Sequence, residues 1–283
     1  EETQKQLQEF QDYIKKLAED ITKQDPEDIY RTISNGFFFP KYSDVIKASE
    51  NNKNAFLNFV TTIQFDKNKN ISSKGTDAEK DKKLFDTYSY QMKMSVLPYL
   101  HYILVPGIKS GKLTFENFIE FIATQSWIGK PHLKYDLGGE GKAVNWIGLL
   151  SPSIIEFFIQ IQGWVSTKYY RPSFVLAVDS LTIKFEGLLR ERMKIPTSHI
   201  RKKGMQEVYI HNVLDNDIIK KFFNDDDLLL FNYLFSSESG LNLRNNVAHC
   251  FLDYEEYNPD QMFLLIAALL RLAKYDYKIK TSS

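Results

Sequence analysis

The amino-acid sequence predicts an all-α protein. Apolar residues recur at helical spacing in several stretches, and residue combinations that are typical of helix starts precede some of them. No segment shows the sustained alternation of Val, Ile and Thr that is typical of a sheet, and no repeat period is found. With 283 residues, of which 43% are hydrophobic, the chain can bury a large core. We expect two units, an N-terminal helical region of unknown role over 1–150 and a helical bundle over 151–283.

The first predicted helix is amphipathic and stops before Pro26. Its apolar positions follow one another at steps of three and four residues and predict a core face: Leu7, Phe10, Ile14, Leu17 and Ile21. Further along, residues 66–83 are nearly all Lys, Asn, Ser, Asp and Gly. Such a composition cannot bury a face, so it predicts a surface loop between two helical sections.

Helices are predicted again over 84–105 and 113–126, the second with Thr114 as its N-cap. The glycine-containing stretch 129–141 predicts a second loop. Another helix is expected to begin at Ser151-Pro152-Ser153, because proline is tolerated in a first turn and Glu156 suits the positive end of the helix dipole.

The strongest periodicity of the chain follows Pro172. Apolar residues alternate at steps of four and three, as expected for the buried seam of a helix in a bundle: Phe174, Val178, Leu181, Phe185 and Leu188. Three acidic residues, 225–227, precede an apolar run and predict a helix N-terminus rather than a metal site. Asn258, Pro259 and Gln261 predict the N-cap, first turn and capping box of a long closing helix.

Charge and cysteine content exclude few functions. The 36 basic and 36 acidic residues cancel, so a nucleic-acid partner would have to be attracted by a local patch. The single cysteine, Cys250, excludes an internal disulfide framework. The first residues lack the features of a signal peptide, and no apolar run reaches spanning length. We therefore expect a cytoplasmic protein that does not bind membranes, and, because the chain does not begin with Met, residues upstream of it.

Two familiar kinds of site are not supported by the sequence. The stretch Gly138-Gly139-Glu140-Gly141-Lys142 is similar to a phosphate-binding loop, but Asp136 and Ala143 replace the required Gly and Ser/Thr. Four histidines have no Cys or His partner at metal-binding spacing: His101, His132, His199 and His211. We expect a flexible connection between helices at the glycines, structural or surface histidines, and no metal or other cofactor.

One local excess of positive charge lies in the C-terminal half. Between 184 and 203 only Glu186 and Glu191 oppose seven basic residues: Lys184, Arg190, Arg192, Lys194, Arg201, Lys202 and Lys203. This excess is compatible with binding a phosphate backbone, for which Arg190, Arg201, Lys202 and Lys203 are the candidates. A solvated helix end followed by a loop explains it equally well.

The most informative stretch is Leu241-Asn-Leu-Arg-Asn-Asn-Val-Ala-His249, which places Arg244, Asn245 and His249 just before the closing helix. An arginine that holds a phosphate and a histidine that moves a proton are the minimum set of groups for cutting RNA without a metal. Arg followed five residues later by His would arise by chance in roughly one chain in eight of this composition. The motif alone is therefore weak evidence.

Helix geometry restricts how the motif could work. Five residues turn an α-helix by about 140° and advance it by about 7.5 Å, so Arg244 and His249 do not share one stripe. They could meet if the helix bends, or if a two-fold related copy supplies a second pair. The structural alternative makes Arg244 a salt-bridge partner of Glu186 or Glu191 and His249 a buried histidine with its hydrogen bonds satisfied.

The block 174–275 resembles the HEPN superfamily, the higher-eukaryote and prokaryote nucleotide-binding domains. Members are four-helix bundles whose signature is an Arg, usually followed by a polar residue, and then a His. Here the signature is matched by Arg244-Asn245-Asn246-Val247-Ala248-His249, ahead of the last helix. The resemblance covers the C-terminal two-fifths of the chain.

A narrower resemblance points to one HEPN branch, found as a domain of unknown function in bacterial proteins and in the C-terminal region of the endoplasmic-reticulum-membrane-associated RNA degradation protein. It is carried by Phe185-Glu-Gly-Leu-Leu-Arg190 and Leu241-Asn-Leu-Arg-Asn245, with Ser126-Trp-Ile-Gly-Lys-Pro131 further upstream. Cys250 departs from the pattern, since a Gly often follows the His.

The resemblance implies a metal-independent endoribonuclease that serves RNA degradation, phage defence or a toxin system. It implies His249 as general acid or base, Arg244 as the group that stabilises the phosphorane charge, and Asn245 as an orienting residue. Glu186 would contact Arg244 without itself taking part in the reaction. We expect RNA and a second copy of the chain as partners, with a regulatory partner or antitoxin to restrain the activity. The alternative is a non-catalytic helical module that binds RNA or another protein.

Overall fold

The computed structural model describes residues 2–51, 63–65, 71–74, 76–135, 141–194, 198–201, 204–207 and 209–276. Within these residues the chain forms thirteen α-helices and three small two-stranded sheets. The all-α fold class predicted from the sequence is confirmed.

The helices are α1 (Glu2–Thr22), α2 (Pro26–Asn35), α3 (Tyr42–Asn51), α4 (Thr76–Gln91), α5 (Leu97–Lys109), α6 (Phe115–Gln125), α7 (Trp146–Ser166), α8 (Val175–Met193), α9 (Ile210–Leu214), α10 (Asp217–Phe222), α11 (Asp225–Phe235), α12 (Leu243–Ala248) and α13 (Pro259–Ala273). The strands form three antiparallel hairpins: β1 (Ile63–Phe65) with β2 (Ile71–Lys74), β3 (His132–Tyr135) with β4 (Gly141–Val144), and β5 (Ser198–Arg201) with β6 (Gly204–Glu207). In register, Ile63 faces Lys74, His132 faces Val144 and Ser198 faces Glu207.

The chain divides into two compact units, each assembled from separate segments. The first contains the described residues of 1–37, 97–188 and 254–283, and the second those of 38–96 and 189–253. This division differs from the predicted boundary at residue 150, because the C-terminal half contributes to both units. Hydrophobic periodicity identifies the buried face of a helix but does not say which helix covers it.

Helix α13 is the centre of the first unit. Every residue from Gln261 to Ala273 is buried, so this helix has no solvent-facing side. A helix that is apolar all round must be covered on all sides. The helices α2 and α5 pack against it, while α1 and α7 pack against α5. This need for cover explains why N-terminal helices join the closing helix in one unit.

The second unit is arranged around α11. Helices α3, α9 and α12 pack against α11, and α4 packs against α3. One hydrogen bond shows how the unit joins distant segments, because the backbone N–H of Tyr42 at the start of α3 donates to the Asp226 carboxylate at 2.7 Å. The acidic first turn predicted over 225–227 is confirmed, with Asn224 as the N-cap of α11.

Several other sequence predictions are confirmed in detail. All five apolar residues of the predicted seam in and before α8 are fully buried. Thr114 caps α6 and forms a reciprocal capping box with Asn117. The Asn258 side chain accepts a hydrogen bond from the backbone N–H of Gln261 at the start of α13, as predicted for an N-cap. The predicted capping box is not formed, because the side-chain oxygen of Gln261 has no hydrogen-bond partner among the described residues.

Other predictions about local structure were wrong. The stretch 66–83 contains strand β2 and the beginning of α4, where a Lys83–Glu79 ion pair of 2.8 Å supports a largely polar helical turn. The stretch 129–141 holds β3 and the first residue of β4. Residues 66–70, 75 and 136–140 lie outside the described residues.

Prolines also mark two differences from the predicted helices. Helix α7 begins at Trp146 with Asn145 as its cap, so Pro152 lies inside the helix rather than in its first turn. The predicted helix 84–105 is interrupted by a π-helical turn over Met92–Val96. Pro98 follows this turn and has no N–H to donate to the carbonyl four residues earlier, which favours a widened turn there.

Candidate functional site

The Arg-His motif is held by a tight connection in the second unit. The chain leaves α11 at Phe235 and reaches α12 after seven residues. Gly240 makes this path possible, because a Cβ added there would lie 2.3 Å from the carbonyl oxygen of Tyr233. The next residue, Leu241, donates its backbone N–H to that same oxygen at 2.7 Å. The entry to α12 is therefore fixed by backbone contacts with α11.

Helix α12 is only six residues long and is anchored on one side. Leu243 is fully buried, and Asn246 is nearly so. The Asn246 side-chain amide donates to the carbonyl oxygen of Leu241 at 2.9 Å, which ties the helix back to its own entry. Asn242 precedes the helix in the left-handed conformation, with φ of 44°, which asparagine tolerates better than most residues.

The three motif side chains lie on the accessible part of this helix. Arg244 and Asn245 are half-buried, and His249 is exposed at the C-cap. The expectation of a buried, hydrogen-bonded His249 under the structural alternative was therefore wrong. Arg244 is engaged in an interaction of its own within the protein.

A Schellman turn ends α12 immediately after the histidine. The backbone N–H of Cys250 donates to Val247 at 3.2 Å, and that of Phe251 donates to Asn246 at 2.8 Å. Cys250 occupies the left-handed position of this turn, with φ of 54°. Glycine is favoured at this position because it has no Cβ. The departure from the HEPN pattern at Cys250 therefore falls where a Gly would be least strained.

The turn brings the side chains on either side of Cys250 together. The rings of His249 and Phe251 stack, with their centroids 5.4 Å apart and their planes at 24°. Within the described part of the chain, the imidazole nitrogens of His249 have no hydrogen-bond partner. Both nitrogens are thus available to a substrate.

Only some of the other predicted site residues lie within the described part of the chain. Arg190 lies half-buried near the end of α8, in the same unit as the motif. Arg201 is the last residue of β5, and Lys202 and Lys203 lie outside the described residues. Glu186 is buried in the first unit, whereas Arg244 belongs to the second.

The glycine-rich stretch that is similar to a phosphate-binding loop leads into a strand. Gly141–Val144 form β4, whereas a phosphate-binding loop leads into a helix. Within the described ranges, no group of three or more His, Cys, Asp or Glu side chains is placed to hold a metal ion.

The histidines outside the motif have mostly aromatic neighbours. His101 lies edge-on to Trp164 and Phe263. His132 lies within hydrogen-bond distance of the Trp127 carbonyl, and His211 stacks on Tyr209. The side chain of His199 lies outside the described residues.

Sequence reasoning missed a cleft of about 830 Å³ in the second unit. Its apolar lining includes Leu84, Phe85 and Leu229, and its polar lining includes four carboxylates, Asp81, Asp215, Asp225 and Glu238. The basic residues of the lining are His211 and Lys220, and Lys220 forms an ion pair with Asp215. The lining comes from four separate stretches of sequence, so no local motif marked it. Its negative charge disfavours a phosphate backbone.

A second missed feature is a groove of about 450 Å³ in the first unit, between α7 and the connection from α5 to α6. Ile155 and Ile159 of α7 line it and are 40% and 52% exposed. The exposed positions along α7 include no charged residue: Gly148, Leu149, Pro152, Ile155, Ile159, Gln162 and Ser166. The signal in the sequence was that the 21 residues of α7 include a single charged one, Glu156.

Comparisons with protein-family models, with curated proteins and with solved structures found no match. The HEPN resemblance therefore rests on the residues quoted for it. Among the described helices, none combines the length and the apolar character required to cross a bilayer.

Proposed function

We propose that this protein is a metal-independent endoribonuclease of the HEPN type that acts on RNA in the cytoplasm. The observation that supports this proposal best is the exposed His249 at the C-cap of the short helix that carries Arg244. The ring nitrogens of His249 have no hydrogen-bond partner among the described residues. A general base must be able to reach the proton that it abstracts, and a buried histidine could not.

The reaction follows from the chemistry of these side chains. An imidazole nitrogen of His249 takes the proton of a ribose 2′-hydroxyl, and the oxygen attacks the adjacent phosphorus. The bond from phosphorus to the 5′-oxygen breaks, and an imidazolium returns a proton to that oxygen. The products are a 2′,3′-cyclic phosphate and a 5′-hydroxyl. Arg244 stabilises the additional negative charge on the phosphoryl oxygens, and Asn245 orients one of them.

The arrangement of the motif favours a homodimer. Arg244 and His249 are five residues apart, which separates them by about 140° around the helix axis. A two-fold related copy would bring a second Arg-His pair to the same phosphate. Arg190, Arg201, Lys202 and Lys203 are the proposed contacts to the RNA backbone. We further propose a role in RNA degradation, phage defence or a toxin system, with a regulatory partner or antitoxin.

The test is cleavage of RNA by purified protein in excess chelator. Wild-type protein should leave 2′,3′-cyclic phosphate ends, and the Arg244→Ala and His249→Ala variants should lose about a hundredfold or more of the rate while remaining folded. His211→Ala and Arg171→Ala are matched controls, because both side chains are exposed and lie outside the motif. If wild-type protein cuts no RNA, or if the controls lose activity equally, the proposal is wrong.

A second candidate function is a non-catalytic module that binds another protein or RNA. The uncharged exposed face of α7 and its apolar groove favour protein binding, since solvent-facing helix surfaces are usually polar. In that case wild-type protein would bind a partner and cut nothing. Ile159→Glu would then abolish binding, whereas His249→Ala would leave binding unchanged.

A further inference from the structure

The imidazole of His249 is exposed, and its orientation decides whether a ring nitrogen can face a substrate. A histidine in catalysis is usually held by a hydrogen bond from one ring nitrogen to a carboxylate or carbonyl, which fixes the plane of the ring. No described residue supplies such a bond here. An exposed side chain without one samples several rotamers, and only some of them would direct a nitrogen at a substrate.

Phe251 is the residue whose ring stacks on this imidazole. Its ring stacks on the imidazole with a centroid separation of 5.4 Å and an interplanar angle of 24°. Phe251 itself is half-buried and has further contacts in the protein, so it is a firmer support than a fully exposed ring would be. Stacking covers one face of the imidazole and leaves the nitrogens at its edge accessible.

The backbone fixes the spacing of the two rings. The Phe251 N–H donates to Asn246 at 2.8 Å, and Asn246 is in turn tied by its side chain to Leu241 at 2.9 Å. Cys250 reverses the chain between the rings with φ of 54°. The Schellman turn thus places residues 249 and 251 on the same side of the helix end.

We propose that Phe251 is a positioning residue, which orients the His249 imidazole for proton transfer by stacking instead of by a hydrogen bond. This inference rests on the proposed endoribonuclease function and adds to it a side chain outside the Arg-His motif. Because Phe251 acts through His249 and does not contact the phosphate, its loss should lower kcat and leave KM unchanged.

The experiment compares RNA cleavage by wild-type protein, Phe251→Leu and Phe251→Tyr in excess chelator. An aromatic pair of this kind restricts the ring enough that Phe251→Leu should lower kcat by about twofold to tenfold. Phe251→Tyr keeps the aromatic ring, so its kcat should equal that of wild-type protein. The matched control is Tyr209→Leu, which removes an aromatic ring stacked on His211 at 6.0 Å and 12° and should leave kcat unchanged.

A second measurement reports on the stacking itself. The side-chain proton resonances of His249 should carry a ring-current shift in wild-type protein and in Phe251→Tyr, and should lose it in Phe251→Leu. Equal kcat for wild-type protein and Phe251→Leu would overturn the positioning role while the endoribonuclease proposal stands. A change in KM alone, or an equal loss in Tyr209→Leu, would also overturn it. If wild-type protein cuts no RNA, both proposals fail, even where the ring-current shift shows that the rings stack.

Discussion

Helices α12 and α13 are neighbours in sequence but have opposite characters. Helix α13 has fifteen residues and is buried from Gln261 to Ala273. Helix α12 has six residues, and its motif side chains are half-buried or exposed. The long helix belongs to the first unit and the short one to the second. The comparison shows that α13 is buried along nearly its whole length, whereas α12 presents polar groups to solvent.

Length explains why the two helices depend on different interactions. An isolated helix shorter than about 12 residues is marginal in water, so α12 needs support from outside itself. That support is the buried Leu243 and the turns at Gly240 and Cys250. Helix α13 is instead stabilised by burial of apolar area along its whole length.

The largest effect that we expect comes from truncating the core of α13. Phe263 is fully buried and contacts Phe157 and His101. Phe263→Ala should lower the free energy of unfolding by about 3–5 kcal/mol, since it leaves a cavity that the neighbours cannot fill. Urea denaturation measures this. The exposed Phe10 is the control, and Phe10→Ala should cost less than about 1 kcal/mol. Similar losses in both variants would contradict the central place of α13.

The next largest effect should come from the entry to α12. Gly240→Ala brings a Cβ within 2.3 Å of the Tyr233 carbonyl oxygen, so the backbone of the connection must move. We expect a loss of about 2 kcal/mol in the free energy of unfolding and lower RNA cleavage. Gly111→Ala is a comparison in the first unit, because φ there is 71° but no atom lies within 4 Å of the added Cβ. It should cost stability without reducing cleavage, and a normal cleavage rate in Gly240→Ala would show that α12 tolerates displacement.

A smaller effect, of opposite sign, should come from the exit of α12. Cys250 adopts φ of 54°, which is strained for a residue with a Cβ. Cys250→Gly should therefore raise the free energy of unfolding by about 0.5–1 kcal/mol, part of the gain being offset by the greater freedom of glycine in the unfolded chain. Thermal denaturation measures the change. Cys250→Ala keeps the Cβ and should show no such gain, so equal gains in the two variants would exclude relief of backbone strain.

The smallest effect should be a pH dependence associated with α13. Burial against Trp164 and Phe263 lowers the pKa of His101 below its usual 6.5, although Asp260 opposes this shift. The unfolded chain therefore binds this proton at a higher pH than the folded chain does. The contribution to stability is present above pH 6.5 and is lost as the pH falls through the folded pKa. His101→Gln should flatten this part of the stability profile in urea denaturation, and an unchanged slope would contradict the assignment.

The sequence predicted features that depend on near neighbours in the chain. The caps at Thr114 and Asn258 and the apolar seam that begins at Phe174 were confirmed, because each depends on residues that are only three or four positions apart in the chain. The Arg-His motif was also found by its local pattern. Its exposure was not predictable, since nothing in Leu241–His249 says which side of α12 is covered.

Features that join distant segments were decided by tertiary structure. The cleft of the second unit brings together Tyr42, Phe85, His211 and Asn232, and no sequence pattern relates such widely separated residues. The stacking of Phe251 on His249 depends on a left-handed conformation at Cys250, which the sequence did not signal because glycine is the residue expected there.

The sequence by itself determined that the chain is helical, where α6, α11 and α13 begin, and which residues are candidates for metal-free chemistry. Only the tertiary structure decided that α13 gathers N-terminal helices around it and that His249 faces solvent beside an aromatic ring. The physical reason is the distance along the chain over which each interaction acts. Hydrogen bonds of caps and the period of a helix act over a few residues, whereas burial is non-directional and is satisfied by whichever distant surface fits.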